Sequence, residues 1–246
     1  MASQKSPKTG FEKWQEGLSL AVSNAKWNAW DCDIQIAVNE YNRHLAGIAG
    51  YAALDWKLVK AMVWVETGAD SAEWKIKPLQ IGVPGDPGLK AFLAGNEGGD
   101  LIVPKIFKDR LTTGSVQSIP VHNIQAGIGY LLMRMAIFEH RSIPNDDSRI
   151  YEIAIRAGDH LDKIAKSHAS TIDILRKLNP TANVLRAGQT LKLQKASVQR
   201  IITRWRHISP MSISQRYNGG GDSNYTKKLE FALSLVRHRS KALCAR

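Results

Sequence analysis

The chain has little cysteine and no long apolar run. Its 246 residues include two cysteines, Cys32 and Cys244, whose separation fits no paired metal-ligand motif. No segment approaches the roughly 20 apolar residues of a membrane span, and the N-terminus lacks the apolar core of about 7–15 residues that a secretory signal needs. We therefore expect no membrane span, no secretory signal, and two free thiols in a reducing compartment.

Metal-binding and nucleic-acid-binding motifs are also missing. The seven histidines form no His-Glu-x-x-His pair, so we expect neither a metal nor a cofactor. Charge is uneven, because residues 1–147 hold 15 Lys/Arg and 16 Asp/Glu (net −1), whereas residues 148–246 hold 19 and 6 (net +13). A positive surface attracts nucleic acid and anionic wall polymers alike. No recognition helix, stacking platform or zinc-finger spacing favours nucleic acid, and we expect no such partner.

One apolar segment ends on a single carboxylate. Between Trp56 and Glu66 the apolar residues recur at three- and four-residue spacing and cover most of the circumference, which predicts a buried helix. The pair Thr67-Gly68 ends it, since glycine commonly takes the left-handed conformation after a helix. Glu66 then lies at the negative end of the helix dipole among apolar neighbours, and both effects favour the protonated carboxyl. A general acid needs that form, although an idle polar helix end is the alternative.

Four segments resemble, in the correct order, one superfamily of cell-wall enzymes. They are LDWKLVKAMVWVETG (54–68), PLQIG (78–82), NIQAGIGYL (123–131) and RYNGGGDSNY (216–225). These look like the glutamate helix, the Gly-Leu-Met-Gln turn, the Asn-Ile helix and the Tyr-Asn loop of the lysozyme-like soluble lytic transglycosylase and goose-type lysozyme superfamily. The resemblance covers roughly residues 30–141 and 197–240.

This resemblance implies an active site. Glu66 would be the catalytic acid, and Tyr217 would lie over it and hold it by a hydrogen bond. The residues implied to bind substrate are Thr67, Gln80, Ile81, Asp86, Asn123 and Asn218. Hydrolysis would need a second carboxylate to position water, for which Asp70, Glu73 and Asp86 remain equal candidates.

The sequence departs from the family pattern next to Gln80. Lys77-Pro78 stands where the family has its leading glycine, and GVPGDPGL (82–89) follows as a loop rich in proline and glycine. That composition favours turns. This departure motivates an alternative hypothesis, in which the lysozyme-like part no longer has catalytic activity.

The segment between the third and fourth motifs has a pattern of its own. Residues 151–156 alternate apolar and polar side chains, which predicts a half-buried strand. Leu161, Ile164 and Ala165 predict a first helix, and Ser170 or Thr171 can cap a second one. Asn179-Pro180 ends it, and a returning strand carries two leucines, at 191 and 193.

This β-α-α-β pattern resembles a LysM domain, which implies binding of glycans that contain N-acetylglucosamine. The residues implied to bind the glycan are Gly158, Asp159, His160, Asn179 and Pro180. We place the domain at residues 150–194, as an insertion between polar linkers at 142–148 and 194–200. The host domain would comprise residues 11–141 and 197–246, after a disordered N-terminus at 1–10. The expected fold class is α+β, a mainly α-helical domain with the small insert.

The expected function is cleavage of the β-1,4 bond between N-acetylmuramic acid and N-acetylglucosamine in peptidoglycan. The enzyme would be a lytic transglycosylase or a lysozyme (muramidase). A non-catalytic peptidoglycan-binding or assembly component is the alternative, and a nucleic-acid binder is the third hypothesis.

Without a secretory signal, the chain would be made in the cytoplasm and would reach the periplasm or the wall by another route. We expect a bacteriolytic, antimicrobial effector of a type VI secretion or contractile injection system, a phage endolysin released with a holin, or a virion component. A carrier of the secretion apparatus and an immunity or inhibitor protein are then expected partners.

Overall fold

The computed structural model describes residues 7–147, 149–182, 184–239 and 244. The chain divides into two compact units. Unit 1 extends to Ile137 and resumes at Ile202, and unit 2 is Phe138–Ile201. The fold class is α+β, as predicted.

Unit 1 is mainly helical. Two of the four strands in the described residues lie wholly within unit 2, and the other two extend across its boundaries in sequence. The helices are α1 (Gly10–Ala21), α2 (Asp31–Leu45), α3 (Trp56–Glu66), α4 (Gly88–Ala94), α5 (Gly99–Ile102), α6 (Lys105–Lys108), α7 (Thr113–Ser118), α8 (Pro120–Met135), α9 (Leu161–Ser167), α10 (Ile172–Leu178), α11 (Pro210–Arg216) and α12 (Tyr225–Arg239), with 3-10 turns at Ala25–Asn28 and Ala72–Lys75. The strands are β1 (Ala136–Pro144), β2 (Ile150–Ala154), β3 (Thr190–Gln194) and β4 (Ala196–Trp205).

The core of unit 1 forms around α3 and α8. Proline at the first position of α8 suits a helix start, because its missing N–H would have no partner there. Ile124, Ile128 and Leu131 of α8 are completely buried, as are Val59 and Met62 of α3. Each such side chain contributes about 1.5–3 kcal/mol when it leaves water.

Helix α3 has the boundaries that its sequence predicts. Asp55 caps it by accepting a hydrogen bond from the backbone N–H of Lys57 at 2.9 Å. Gly68 follows its end with φ +67°, the left-handed conformation that glycine adopts without strain. A buried ion pair, from Lys60 Nζ to Asp31 Oδ2 at 2.8 Å, fixes α3 against α2. Breaking such a pair by removing one partner typically costs about 3–5 kcal/mol.

Helix α12 packs along α3 in the opposite direction. Tyr225 at its start contacts Glu66 at the end of α3, whereas Arg237 near its end contacts Asp55 at the start of α3. Leu229 and Val236 are completely buried on the inner face of α12. Helix α12 therefore supports the helix that carries the predicted catalytic residue.

Unit 2 contains the predicted β-α-α-β pattern. Strands β2 and β3 pair antiparallel, from Ile150 opposite Gln194 to Ala154 opposite Thr190. Thr171 is the N-cap of α10, where its hydroxyl accepts a hydrogen bond from the Ile174 N–H at 3.3 Å. The core of the unit consists of Ile155, Ile164, Ala165, Leu175, Leu191 and Leu193. The predicted strands and helices of this segment are confirmed.

The two polar linkers are shorter than predicted, because strands occupy part of each. Strand β1 extends to Pro144 and β4 begins at Ala196, and the two strands form a sheet. Asn145 N–H donates to Lys195 O, whereas Arg206 N–H donates to Met135 O, so the partner numbers run in opposite directions and the pairing is antiparallel. Residues 142–144 and 196–200 of the predicted linkers lie on these strands, whose side chains are mostly exposed or half-buried, whereas residues 145–147 belong to no helix or strand.

Residues 1–6 of the N-terminus that was predicted to be disordered lie outside the described residues. Lys8 pairs with Glu16, and Thr9 forms a capping box with Glu12 at the start of α1. The prediction about the cysteines needs correction. Cys32 and Cys244 form a disulfide with a Cα–Cα distance of 5.4 Å, and they are not free thiols. A pair 212 residues apart in sequence has no local signature.

Candidate active site

Glu66 lies in the wall of a cavity of about 270 Å³ in unit 1. Burial deprives its carboxylate of water and raises its pKa to about 7, although the hydrogen bond from Tyr225 acts in the opposite sense. More of the carboxyl is therefore protonated at neutral pH than in an exposed glutamate. It can give up a proton and take one back, as acid–base catalysis requires.

Tyr225 holds Glu66, in place of the predicted Tyr217. The Tyr225 hydroxyl donates to Glu66 Oε1 at 2.6 Å, and the Tyr225 side chain is 2% exposed. The Tyr217 hydroxyl instead donates to the backbone carbonyl of Leu79 at 2.7 Å. The predicted hydrogen bond between Tyr217 and Glu66 is thus wrong. Tyr225 begins α12, so its position depends on the packing of that helix against α3.

The cavity gathers most of the predicted cleft residues. Its lining consists of Glu66, Leu79, Gln80, Ile81, Val83, Asp86, Tyr130, Tyr217 and Asn218. Four of the six predicted substrate-binding residues are in this set, and Tyr217 faces the same space as Glu66. Their roles in binding and catalysis remain predictions.

Gln80 has an unusual backbone conformation. Its φ of +53° places a non-glycine residue in the left-handed region, which side chains rarely occupy. Its side-chain amide donates to Lys77 O at 3.0 Å and closes the turn over that residue. Conformations of this kind cluster at binding sites, where the surrounding structure maintains them.

Asn123 has a structural role and does not line the cleft. It is completely buried on α8, where its amide oxygen accepts from Leu79 N–H at 2.9 Å. Its amide nitrogen donates to Ile81 O at 2.9 Å and to Val116 O at 3.1 Å. The prediction of substrate contact is wrong, because the side chain instead fixes the turn that carries Gln80.

Thr67 also lies outside the cavity lining. Its hydroxyl is within 3.1 Å of two backbone carbonyls, those of Val63 and Pro78. A single hydroxyl has one proton to donate, so it bonds one of these carbonyls at a time, either within α3 or in the adjacent turn. The predicted contact of Thr67 with substrate stays a prediction.

Of the three carboxylates proposed to position water, the cavity lining includes Asp86 alone. Its two oxygens accept hydrogen bonds from Gly82 N–H at 3.1 Å and Gly88 N–H at 2.7 Å, which stabilise the predicted turns of this loop. Asp70 pairs with Lys26, and Glu73 pairs with Lys77 at 3.3 Å.

Sequence reasoning missed Tyr225, Tyr130, Leu79 and Val83. Tyr130 packs against Tyr217 with ring centroids 5.6 Å apart, so the two rings form one side of the cavity. Both tyrosines that were missed stood inside segments used for the family resemblance. The signal that could have identified them is a tyrosine at or next to the end of the third and fourth motifs.

The predicted glycan-binding residues of unit 2 lie at the ends of its elements. Gly158 has φ +80° in the turn after β2, and His160 caps α9, with Nδ1 accepting from Lys163 N–H at 3.3 Å. Asp159 accepts a hydrogen bond from Arg156 N–H at 2.8 Å, and this bond together with Lys163 lowers its pKa. Pro180 is exposed.

Asn179 joins α10 to β3. Its amide nitrogen donates to Leu175 O at 2.8 Å and to Lys192 O at 2.7 Å, and its oxygen accepts from Lys192 N–H at 2.8 Å. One lone pair of its oxygen is left for a ligand. The side chain therefore serves mainly to hold the unit together.

Within the described ranges, no cluster of three or more His, Cys, Asp or Glu side chains is arranged to hold a metal ion. In the same part of the chain, every helix is too short or too polar to cross a membrane.

A family model confirms the nature of unit 2. Residues 153–194 match the LysM domain, close to the predicted range of 150–194. The chain therefore contains a LysM domain, which implies binding of peptidoglycan or a related glycan. Comparison with the curated proteins and with the solved structures gave no match.

Proposed function

We propose that unit 1 is a glycosidase that cleaves the β-1,4 bond between N-acetylmuramic acid and N-acetylglucosamine in peptidoglycan. In this proposal unit 1 is a lysozyme-like domain, as the four sequence motifs suggest, and the LysM domain holds the same polymer. The observation that carries the proposal is the state of Glu66, a carboxyl with pKa about 7 in a cavity, held by a buried tyrosine.

Glu66 would act first as an acid. It donates its proton to the glycosidic oxygen as the bond from that oxygen to muramic C1 breaks. Tyr225 then stabilises the carboxylate that remains, because its hydroxyl donates to Oε1. The positive charge that develops at C1 lies next to this carboxylate, which stabilises it.

The second step decides between the two kinds of enzyme. In a lytic transglycosylase, the muramic 6-hydroxyl attacks C1 and the Glu66 carboxylate takes the hydroxyl proton. That step restores the acid, forms a 1,6-anhydro ring and consumes no water. In a lysozyme, water attacks C1 and leaves a reducing end. Asp86 is our candidate for positioning that water, since it shares the cavity with Glu66.

The site of action in this proposal is the periplasm or the cell wall. The disulfide between Cys32 and Cys244 supports it, because such bonds persist in oxidising compartments and are rare in the cytosol. Delivery by a secretion apparatus, a holin or a virion remains part of the proposal, as do a carrier and an immunity protein.

Mass spectrometry of the material released from purified sacculi tests the proposal. Anhydro-muramic ends would indicate a lytic transglycosylase, and reducing ends would indicate a lysozyme. The Glu66→Gln variant is the matched control, because it keeps the shape of the side chain and cannot donate a carboxyl proton. Equal release by wild type and variant would exclude Glu66 as the general acid. Sacculus binding without release would rule out this enzyme activity and leave a peptidoglycan-binding protein.

A further inference from the structure

A second pocket, of about 480 Å³, lies in unit 1 at the opposite end of α3 from Glu66. Its walls are the segment between α2 and α3, the residues that follow β4, and the end of α12. Asp55 marks its position at the start of α3. At 1.5 Å per residue, the eleven positions from Asp55 to Glu66 place it roughly 16 Å along the helix from the carboxyl. The pocket is therefore distinct from the cleft.

Two aromatic rings form part of the pocket. Tyr51 and Trp205 meet edge to face with centroids 4.9 Å apart. The Tyr51 hydroxyl donates to Asn42 Oδ1 at 2.6 Å, so its ring is held in place. The indole N–H of Trp205 is buried and has no hydrogen-bond partner in the described part of the chain. A buried donor without a partner is costly.

Exposed backbone lies beside these rings. Ala52 and Ala53 belong to no helix or strand and are exposed. Within residues 7–147 and the other described ranges, their N–H and C=O groups make no hydrogen bond. Consecutive backbone groups of this kind can pair with the backbone of a short peptide.

The charges at the pocket are mainly positive. Arg206 and Arg237 line it together with the imidazole of His207, against one carboxylate, Asp55. Arg206 is held in place by its guanidinium group. Its Nη1 donates hydrogen bonds to Ala136 O at 2.7 Å and to Arg134 O at 3.3 Å. Arg237 is 57% exposed, and its contact with Asp55 is long, at 3.5 Å. A contact so long and exposed contributes little, so the guanidinium can turn to a better acceptor such as a ligand carboxylate.

We propose that this pocket binds a short acidic peptide, whose carboxylate meets Arg237 and His207 and whose backbone pairs with Ala52 and Ala53. In peptidoglycan such peptides branch from the muramic residues of the glycan strand. The pocket would then take a peptide stem while the cleft holds the sugar, and this role rests on the proposed function. The substrate is accordingly a strand that carries peptides, in contrast to bare glycan.

The test measures peptide binding without any sugar. The probe is the free tetrapeptide L-Ala-γ-D-Glu-meso-diaminopimelyl-D-Ala, titrated into the full-length chain by calorimetry and by NMR of labelled backbone amides. We expect binding that shifts the amides of residues 51–55. Arg237→Gln and His207→Gln should each weaken it about tenfold, the effect of losing one charge-assisted hydrogen bond. Lys13→Gln, which removes an exposed charge from α1, is the control and should leave affinity unchanged.

Several results would overturn the proposal. One is the absence of binding at millimolar peptide, and another is equal peptide affinity of the Arg237→Gln and Lys13→Gln variants. The proposal would also fail if a peptide with amidated carboxylates bound as tightly as the free acid. It would fail as well if the peptide shifted only the amide signals of the turn at 79–86. Failure of this proposal is distinguishable from failure of the proposed function. Cleavage of sacculi without peptide binding would reject the pocket alone, and peptide binding without cleavage would reject the glycosidase alone.

Discussion

Glu66→Gln should remove activity and, at the same time, stabilise unit 1 at alkaline pH. Loss of a general acid typically lowers the rate about 10²–10⁴-fold. The stability effect follows from the pKa, which burial raises from 4.5 to about 7. As pH rises above 4.5 the unfolded chain loses this proton first, so the wild type loses stability until pH passes about 7. At 1.36 kcal/mol per unit the full loss is about 3 kcal/mol, most of which falls between pH 5 and pH 8.

The variant has no carboxyl at this position and should not show that loss. The introduced glutamine would keep an oxygen that accepts from Tyr225, so the hydrogen bond at the site survives. Other titrating groups contribute equally to both proteins. The difference in unfolding free energy, variant minus wild type, should therefore increase by roughly 2 to 3 kcal/mol from pH 5 to pH 8.

Urea unfolding followed by tryptophan fluorescence measures this difference in unit 1 alone. All seven tryptophans, at positions 14, 27, 30, 56, 64, 74 and 205, belong to that unit, and unit 2 has none. The measurement therefore does not require both units to unfold together. A difference that stays constant within about 0.5 kcal/mol over this pH range would show that the Glu66 pKa is not raised. The acid role would then lose its physical basis.

Four further changes test other parts of the structure. Tyr225→Phe should raise the pKa of Glu66 and move the alkaline limb of the sacculus-clearing profile upward, since the lost hydrogen bond favours the ionised form. Asn123→Ala should lower the unfolding free energy by about 3 kcal/mol, measured in urea, because it leaves buried backbone groups unpaired. Cys32→Ser should lower it by about 2–4 kcal/mol under oxidising conditions, and a reductant should have the same effect on the wild type but none on the variant. Replacing residues 146–194 with a short turn between β1 and β4 should preserve the tryptophan spectrum and reduce retention on sacculi in a pull-down; unchanged retention would contradict an anchoring role.

The LysM domain was predictable because its signals are local. Strand alternation, helical spacing, the Thr171 cap and the Asn179-Pro180 stop each depend on neighbours within a few residues. The bounds of α3, with Glu66 as its last residue, were predictable for the same reason. Propensity and capping act within one element, so one sequence suffices to read them.

The contacts between distant segments were not predictable. Nothing in the sequence distinguishes Tyr225 from Tyr217 as the partner of Glu66, because the choice depends on how α12 packs. Asn123 carries an amide suited to a cleft, yet the same amide can satisfy three backbone groups in a core. The sequences of β1 and β4 lack a clear alternation of apolar and polar residues, because both faces of these strands are largely accessible. Their strand conformation depends on their pairing with each other, which local sequence does not reveal.

The bond between Glu66 and Tyr225 joins positions 159 residues apart, with the whole LysM domain encoded between them. During synthesis the helix that carries the carboxyl emerges first, the glycan-binding domain next, and the tyrosine last. A nascent or truncated chain that ends after the LysM domain contains Glu66 but lacks the α12 surface that encloses it. The site is therefore incomplete until α12 has been synthesised and has packed against α3.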